Sequence, residues 1–185
     1  ILSEEDVDDK KRLSEEKVWI VDPLDGTTDF VNRTGEFTIM VGLVEKQKSI
    51  LGLIYWPIKK KMYLAESGKG AFRHDEEWEK IETTMMSEMQ NCQALVSRHH
   101  LSEKEKRLLD EMEIAVVTSI GSSLKVTEIA SGDAEIYLTT TSKMKQWDTC
   151  ASNCIISEAG GKMTDMSGND LVYNTEIVNH ENGIL

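Results

Sequence analysis

Residues 18–30 read VWIVDPLDGTTDF, and the order of residue types there restricts the backbone to a strand that breaks into a turn and restarts as a helix. Trp19, Ile20 and Val21 favour extended backbone, Pro23 fixes one backbone angle, and Gly26 admits conformations closed to residues with a Cβ. Thr27 and Thr28 open a short helical stretch whose free backbone N–H groups and dipole favour an anion. Asp22 and Asp25 stand where the strand releases the chain, so a cation held by them and a phosphate are expected to meet at this turn.

Other readings of the segment exist. Pro-x-Asp-Gly is an ordinary turn composition and by itself says nothing of catalysis. A calcium loop needs oxygen ligands at alternate positions, Gly at the sixth and Glu at the twelfth, and the spacing here does not fit. A haloacid-dehalogenase-like nucleophile loop has an apolar strand and Asp-x-Asp-Gly-Thr. In an extended strand alternate residues share a face, whereas Asp22 and Asp25 are three apart, and the extra residue counts against an aspartyl-phosphate mechanism.

The chain has 185 residues, 39% of them hydrophobic, enough for a real core in one or two lobes. A formal charge of -12 argues against a surface that coats nucleic acid. The same charge would repel a phosphorylated substrate unless cations intervene locally. Cys92, Cys150 and Cys154 form no CxxC pair and no zinc spacing, and their odd number fits reduced thiols and a reducing, cytoplasmic compartment. No apolar run approaches the roughly 20 residues of a membrane span, and Ile1 opens no signal-peptide pattern.

The pattern changes near residues 82–92, which divides the chain into lobes at 1–88 and 89–185. Before the change, 36–45, 50–57 and 61–67 are strand-like runs joined by short polar turns, predicting an antiparallel meander that closes at Gly68 and Gly70. After it, 94–97, 115–120 and 134–138 read as strands separated by helices, an α/β layer. Ser102 and Glu105 have capping-box spacing ahead of a structural helix that carries Leu108, Leu109 and Met112. A second helix over 147–159 ends at Gly160 and Gly161. Asp148 at its start is read as a helix cap, a metal ligand, or both. In GSSLK (121–125), Gly and two serines precede a helical stretch where hydroxyls and N–H groups suit a second phosphate, with Lys125 adding charge. Ser122 is equally well read as a helix cap.

DPLDGTTDF (22–30), the acidic ILSEED (1–6) and WDTCASNCIISEAGG (147–161) together resemble the inositol monophosphatase superfamily of metal-dependent, lithium-sensitive phosphatases. Within it, NRTGEFTIMVGLV (32–44), ILGLIYWP (50–57), VSRHH (96–100) and TSIGSSLK (118–125) are most similar to the 3′(2′),5′-bisphosphate nucleotidases. The similarity covers nearly the whole chain. It implies an α/β (α+β) class, a layered α/β/α/β sugar-phosphatase fold in two lobes with the site in the cleft between them. Family members begin with a helical hairpin bearing an Asp and a Thr that help activate water. No such hairpin precedes Ile1, and 179–185 stop short of the family's last strand, so a truncated protein, itself inactive or only binding, is among the expectations.

Carried over by residue, the resemblance implies that Glu4, Asp22 and the Leu24 carbonyl hold one metal and that Asp22, Asp25 and Asp148 hold another. Glu4 is separated from its acidic neighbours only by that resemblance. Oxygen ligands favour Mg²⁺, two or three ions, with Mn²⁺ using similar groups. Thr27 would orient the attacking water, and the N–H groups of Gly26 and Thr27 would bind phosphate oxygens. Ser122, Ser123, Lys125 and His100 would contact the substrate. Many relatives carry an Arg-containing loop where this chain has LTTTSKMKQWD (138–148); Lys143 replaces the charge there but not a planar bidentate clamp. The implied activity is removal of the 3′-phosphate of 3′-phosphoadenosine 5′-phosphate, giving AMP, as part of sulfur metabolism. The rival substrates are inositol monophosphate and other sugar phosphates, and the rival class is a non-catalytic metal- or nucleotide-binding protein. The expected partner is a small phosphorylated nucleotide, with neither a nucleic-acid polymer nor membrane insertion; the oligomeric state is not legible.

Overall fold

Burial alternates strictly over residues 38–45, one side chain buried and the next half-exposed, and again around the buried Gly52 and Ile54, so a single sheet is covered on one face. The computed structural model describes residues 1–86 and 88–185. Its first sheet has seven strands in chain order: β1 (Leu2–Ser3), β2 (Lys17–Asp25), β3 (Thr38–Glu45), β4 (Lys48–Trp56), β5 (Lys61–Glu66), β6 (Gly70–His74) and β7 (Trp78–Ile81). All neighbours pair antiparallel except β1, which runs parallel to β2. The expected meander is therefore present, but Gly68 and Gly70 do not close it. Gly68 sits in the turn before β6, Gly70 is the first residue of that strand, and β7 follows. Helix α1 (Thr27–Asn32) lies between β2 and β3.

The second sheet is parallel, in the order β10-β8-β9, from β8 (Gln93–Ser97), β9 (Val116–Ile120) and β10 (Ile136–Tyr137). Helices α2 (Glu103–Glu111) and α3 (Leu124–Ala130) provide the crossovers that parallel pairing requires. The capping box expected at α2 is formed: Ser102 Oγ accepts from Glu105 N, and Glu105 accepts from Ser102 N.

Helix α4 (Gln146–Glu158) packs on β2 to β6 of the first sheet, although it comes late in the chain. It lies very close to the sheet because the facing partners in β3 and β4 are Gly42 and Gly52. A Cβ at Gly52 would collide with the Ala151 carbonyl, and one at Gly42 with Cys150 Sγ. The larger core joins Ile20, Met40, Ile54 and Tyr63 to Val126, Ile155 and Tyr173, so it draws on both sides of residue 88. A smaller core forms around Ala94, Val96, Leu109 and Leu138. Cys92, Cys150 and Cys154 are buried free thiols. Among the described residues no helix is long and apolar enough to cross a membrane.

Candidate active site

Asp22 lies opposite Met40 and Asp25 opposite Thr38, so β2 advances three residues while β3 advances two. This bulge resets the parity of the strand. Met40 and Thr38 are both on the buried face, at 0% exposure, and the two aspartates are brought to that face with them. The three-residue spacing, awkward for a regular strand, is what the bulge requires.

β1 beside β2 brings Glu4 in line: Leu2 pairs with Ile20, Ser3 with Val21, and Glu4 N donates to Val21 O. The acidic run is sorted by its partners. Asp8 binds Arg12 and Asp9 binds Lys11, whereas the charge of Glu4 acts on Asp22 and Asp148. Asp148 enters from the first turn of α4, where it accepts from Lys145 N at 2.6 Å. It thus caps the helix and also stands within the field of the other carboxylates.

Burial, and then repulsion from Asp25, raises the Asp22 carboxyl well above its ordinary value; Glu4 and Asp148 add to the effect. Burial pushes Asp148 up to about 7, reinforced by Asp25 and Glu4 and opposed by the bond from Lys145. Among the described residues, no three His, Cys, Asp or Glu side chains stand close enough to grip one ion in their present positions. Each aspartate is turned onto local donors: Asp22 Oδ1 accepts from Leu24 N, Asp25 Oδ2 from Ser123 N and Thr38 Oγ1, and Asp148 Oδ2 from Lys145 N. Those bonds occupy one oxygen of each. An all-oxygen donor set with excess negative charge and raised carboxyl pKa values fits a hard divalent cation.

Asp25, Gly26, Thr27 and Asp148 line a cavity of about 650 Å³, together with His100, Ser122, Ser123, Lys125 and Lys143. Asp22, Leu24 and Glu4 are outside its wall. The structure therefore gathers most of the nominated residues around one space. Lys125 has an internal task there: its ammonium donates to the carbonyls of Ser122 and Ile120 and lies 5.1 Å from the Tyr137 ring centre. Ser122 Oγ accepts from Leu124 N at 3.4 Å, and its φ is 51°, so the turn into α3 is held tightly.

Several residues in the wall or behind it lie outside the sequence reading of the site. Thr38 breaks the apolar alternation of β3 at a fully buried position, a usable signal, and its hydroxyl bridges Asp25 and Ser123. In the sequence Glu105 shows only capping-box spacing. It also accepts from Thr139 Oγ1 at 2.9 Å and Thr140 N at 2.6 Å, tying the 139–141 wall to α2. Burial opposes its charge, yet those bonds hold its carboxyl below the ordinary value. Asp29, Glu36, Arg98 and His99 meet across the cleft, with no local sequence pattern to announce it.

Residues 1–183 match the model of the inositol monophosphatase family. The chain is 36% identical over 179 residues to the 3′(2′),5′-bisphosphate nucleotidase CysQ of Salmonella typhimurium, spanning 94% of this chain and 69% of that protein. It is 30% identical over 181 residues to the inositol-1-monophosphatase of Bacillus subtilis, spanning 94% and 66%. Among solved structures it is similar to CysQ of Bacteroides thetaiotaomicron, with a TM-score of 0.87 and 30% identity across 99% of this chain and 74% of that one. With a layered α/β architecture, an acidic bulge facing a serine-rich turn, and these matches over nearly its full length, the chain belongs to the inositol monophosphatase family.

Proposed function

We propose that this chain is a Mg²⁺-dependent phosphomonoesterase that removes the 3′-phosphate of 3′-phosphoadenosine 5′-phosphate, giving AMP and phosphate. The observation that carries the reading is the single cavity in which Asp25, Thr27 and Asp148 face Ser122, Ser123 and His100. The likeness to proteins named 3′(2′),5′-bisphosphate nucleotidase supports the substrate. Residues 1–88 supply the acidic loop and 89–185 the turn for the rest of the substrate, apart from Asp148. Buried free cysteines support a reducing compartment, and we assign the activity to the cytoplasm.

Glu4, Asp22, the Leu24 carbonyl, Asp25 and Asp148 would hold the ions, two or three Mg²⁺, with Mn²⁺ suited to the same oxygens. Bound there, such ions lower the pKa of water and offset charge on the phosphoryl group. Thr27, whose hydroxyl lies 3.3 Å from Leu24 O, orients the attacking water. Water attacks phosphorus in line with the leaving ribose oxygen, and no covalent bond to the protein forms. The N–H groups of Gly26 and Thr27 stabilise nonbridging oxygens as charge builds on them. His100, Ser122, Ser123 and Lys143 hold the 5′-phosphate and sugar, and Lys125 braces the turn from behind.

One assay tests the proposal: phosphate release from 3′-phosphoadenosine 5′-phosphate and from inositol 1-phosphate, with Mg²⁺, for the wild type and Asp25→Asn. The nucleotide should be preferred, and Asp25→Asn should lower kcat by at least ~10²-fold while binding persists. Preference for inositol 1-phosphate would favour the activity named for the Bacillus relative. Nucleotide binding without turnover would overturn the catalytic reading.

A further inference from the structure

We infer that Glu36 and Arg98 are positioning residues that set the distance between the acidic loop and the Gly121–Ser123 turn, an inference that rests on the function proposed above. Glu36 lies between α1 and β3. Its Oε1 accepts from Arg98 Nη2 at 2.6 Å, and its Oε2 accepts from Arg98 Nε at 3.1 Å and from Gly121 N at 2.6 Å. Arg98 follows β8 and Gly121 follows β9, so one carboxylate beside the first sheet gathers the ends of two strands of the second.

A second carboxylate backs the first. Asp29, 2% exposed, accepts from Thr34 Oγ1 at 2.7 Å, and His99 Nε2 lies 3.2 Å from its Oδ1. The turn lies flat against this pair, because a Cβ on Gly121 would sit 2.5 Å from Asp29 Oδ2 and 3.1 Å from Glu36 Cβ. Two residues on, Ser123 gives its N–H to Asp25 and shares its hydroxyl with Thr38 at 2.7 Å. The turn is therefore fixed at one end by Glu36 and at the other by a proposed metal ligand. If Glu36 lets go, the amide partner of Asp25 moves as well.

Arg98 taken alone resembles a ligand for a substrate anion, but its guanidinium is captured bidentately by Glu36, which neutralises it. The pair is partly solvent-exposed, with side-chain exposures of 36% and 21%, and exposed ion pairs contribute little to global stability. Positioning and stability effects are thus separable by experiment.

Glu36→Gln, Arg98→Met and Arg98→Lys in the full chain provide the test, read by amide hydrogen exchange and by steady-state kinetics with Mg²⁺. Exchange at Gly121 and Ser123 should quicken by about 10-fold or more in Glu36→Gln and Arg98→Met, while β3 and β4 exchange as in the wild type. In both variants kcat/KM should fall by about 10- to 100-fold, and Arg98→Lys should recover part of the loss. Unchanged exchange at the two amides would overturn the inference, as would faster exchange with kcat and KM intact. A general rise in exchange with a large fall in Tm would make the clamp structural and overturn it too. Absence of turnover in the wild type would instead sink the proposed function, and exchange at the two amides would still decide whether the clamp sets the turn.

Discussion

Both faces of the seven-stranded sheet carry apolar side chains, but they serve different ends. The face under α4 presents Val18, Ile20, Met40, Val44, Ile54 and Tyr63, all at most 2% exposed, and then turns acidic at Asp22. The opposite face presents Val21, Val41, Leu43, Leu51, Leu53 and Leu64, half-exposed and paired across strands, with Trp19 42% exposed. No helix makes extensive contact with it among the described residues. Close packing and chemistry thus share one face, and α4 links them: its flank fills the core and its first turn delivers Asp148. Apolar content alone does not distinguish the faces; the glycines that admit a helix do.

Gly52→Val tests that link hardest. The added side chain meets the Ala151 backbone, so stability should fall by about 3 kcal/mol or more in urea denaturation, with activity lost as α4 shifts. A cost below about 1 kcal/mol would show that the helix does not rest on the sheet as described.

The acidic end of the covered face should respond to pH in the opposite sense to most carboxylates. With its carboxyl at about 7 in the folded chain, against 3.8 as the ordinary value, Asp148 keeps a proton that the unfolded chain releases. Its stabilising share is fully present below pH 4 and lost as pH rises through 7. The metal-free protein should therefore lose about 2 kcal/mol between pH 5 and pH 8, and Mg²⁺ should restore it at pH 8. A metal-free Tm that is flat or rising over that range, with no response to Mg²⁺, would count against a cation site.

The same substitution on opposite faces of one strand should show the smallest effect. Val44→Thr buries a hydroxyl and should cost about 1–3 kcal/mol, whereas Val41→Thr should cost roughly 0.5 kcal/mol or less. Equal costs by chemical denaturation would erase the distinction between the faces.

Much of the fold is legible because β3, β4 and β5 alternate cleanly and α2 carries a complete capping signature. β6 and β7 are harder to read: GAFRH and WEKI mix charges into short strands, the second of them at the sheet edge, and Gly68 and Gly70 look like an ending. β1 is two residues inside an acidic run and has no pattern of its own. In the site, the residue types at Asp22, Asp25 and Asp148 point to metal and phosphate chemistry, but their convergence depends on pairings across the sheet. Glu36 and Arg98 are invisible for the same reason, since a cross-cleft ion pair leaves no local periodicity. Lys125 illustrates the reverse limit: its charge is plain in the sequence, its inward orientation is not.

The bulge in β2 has one more consequence, for insertions and deletions rather than replacements. Pro23 and Leu24 matter partly as a length: removing either would leave two steps between the aspartates and match the regular pleat, with the pairs to Met40 and Thr38 kept but the bulge lost, and with it the backbone groups that Leu24 presents beside Asp22. In a mutational scan this short stretch should tolerate exchanges of side chain better than any change in the number of links.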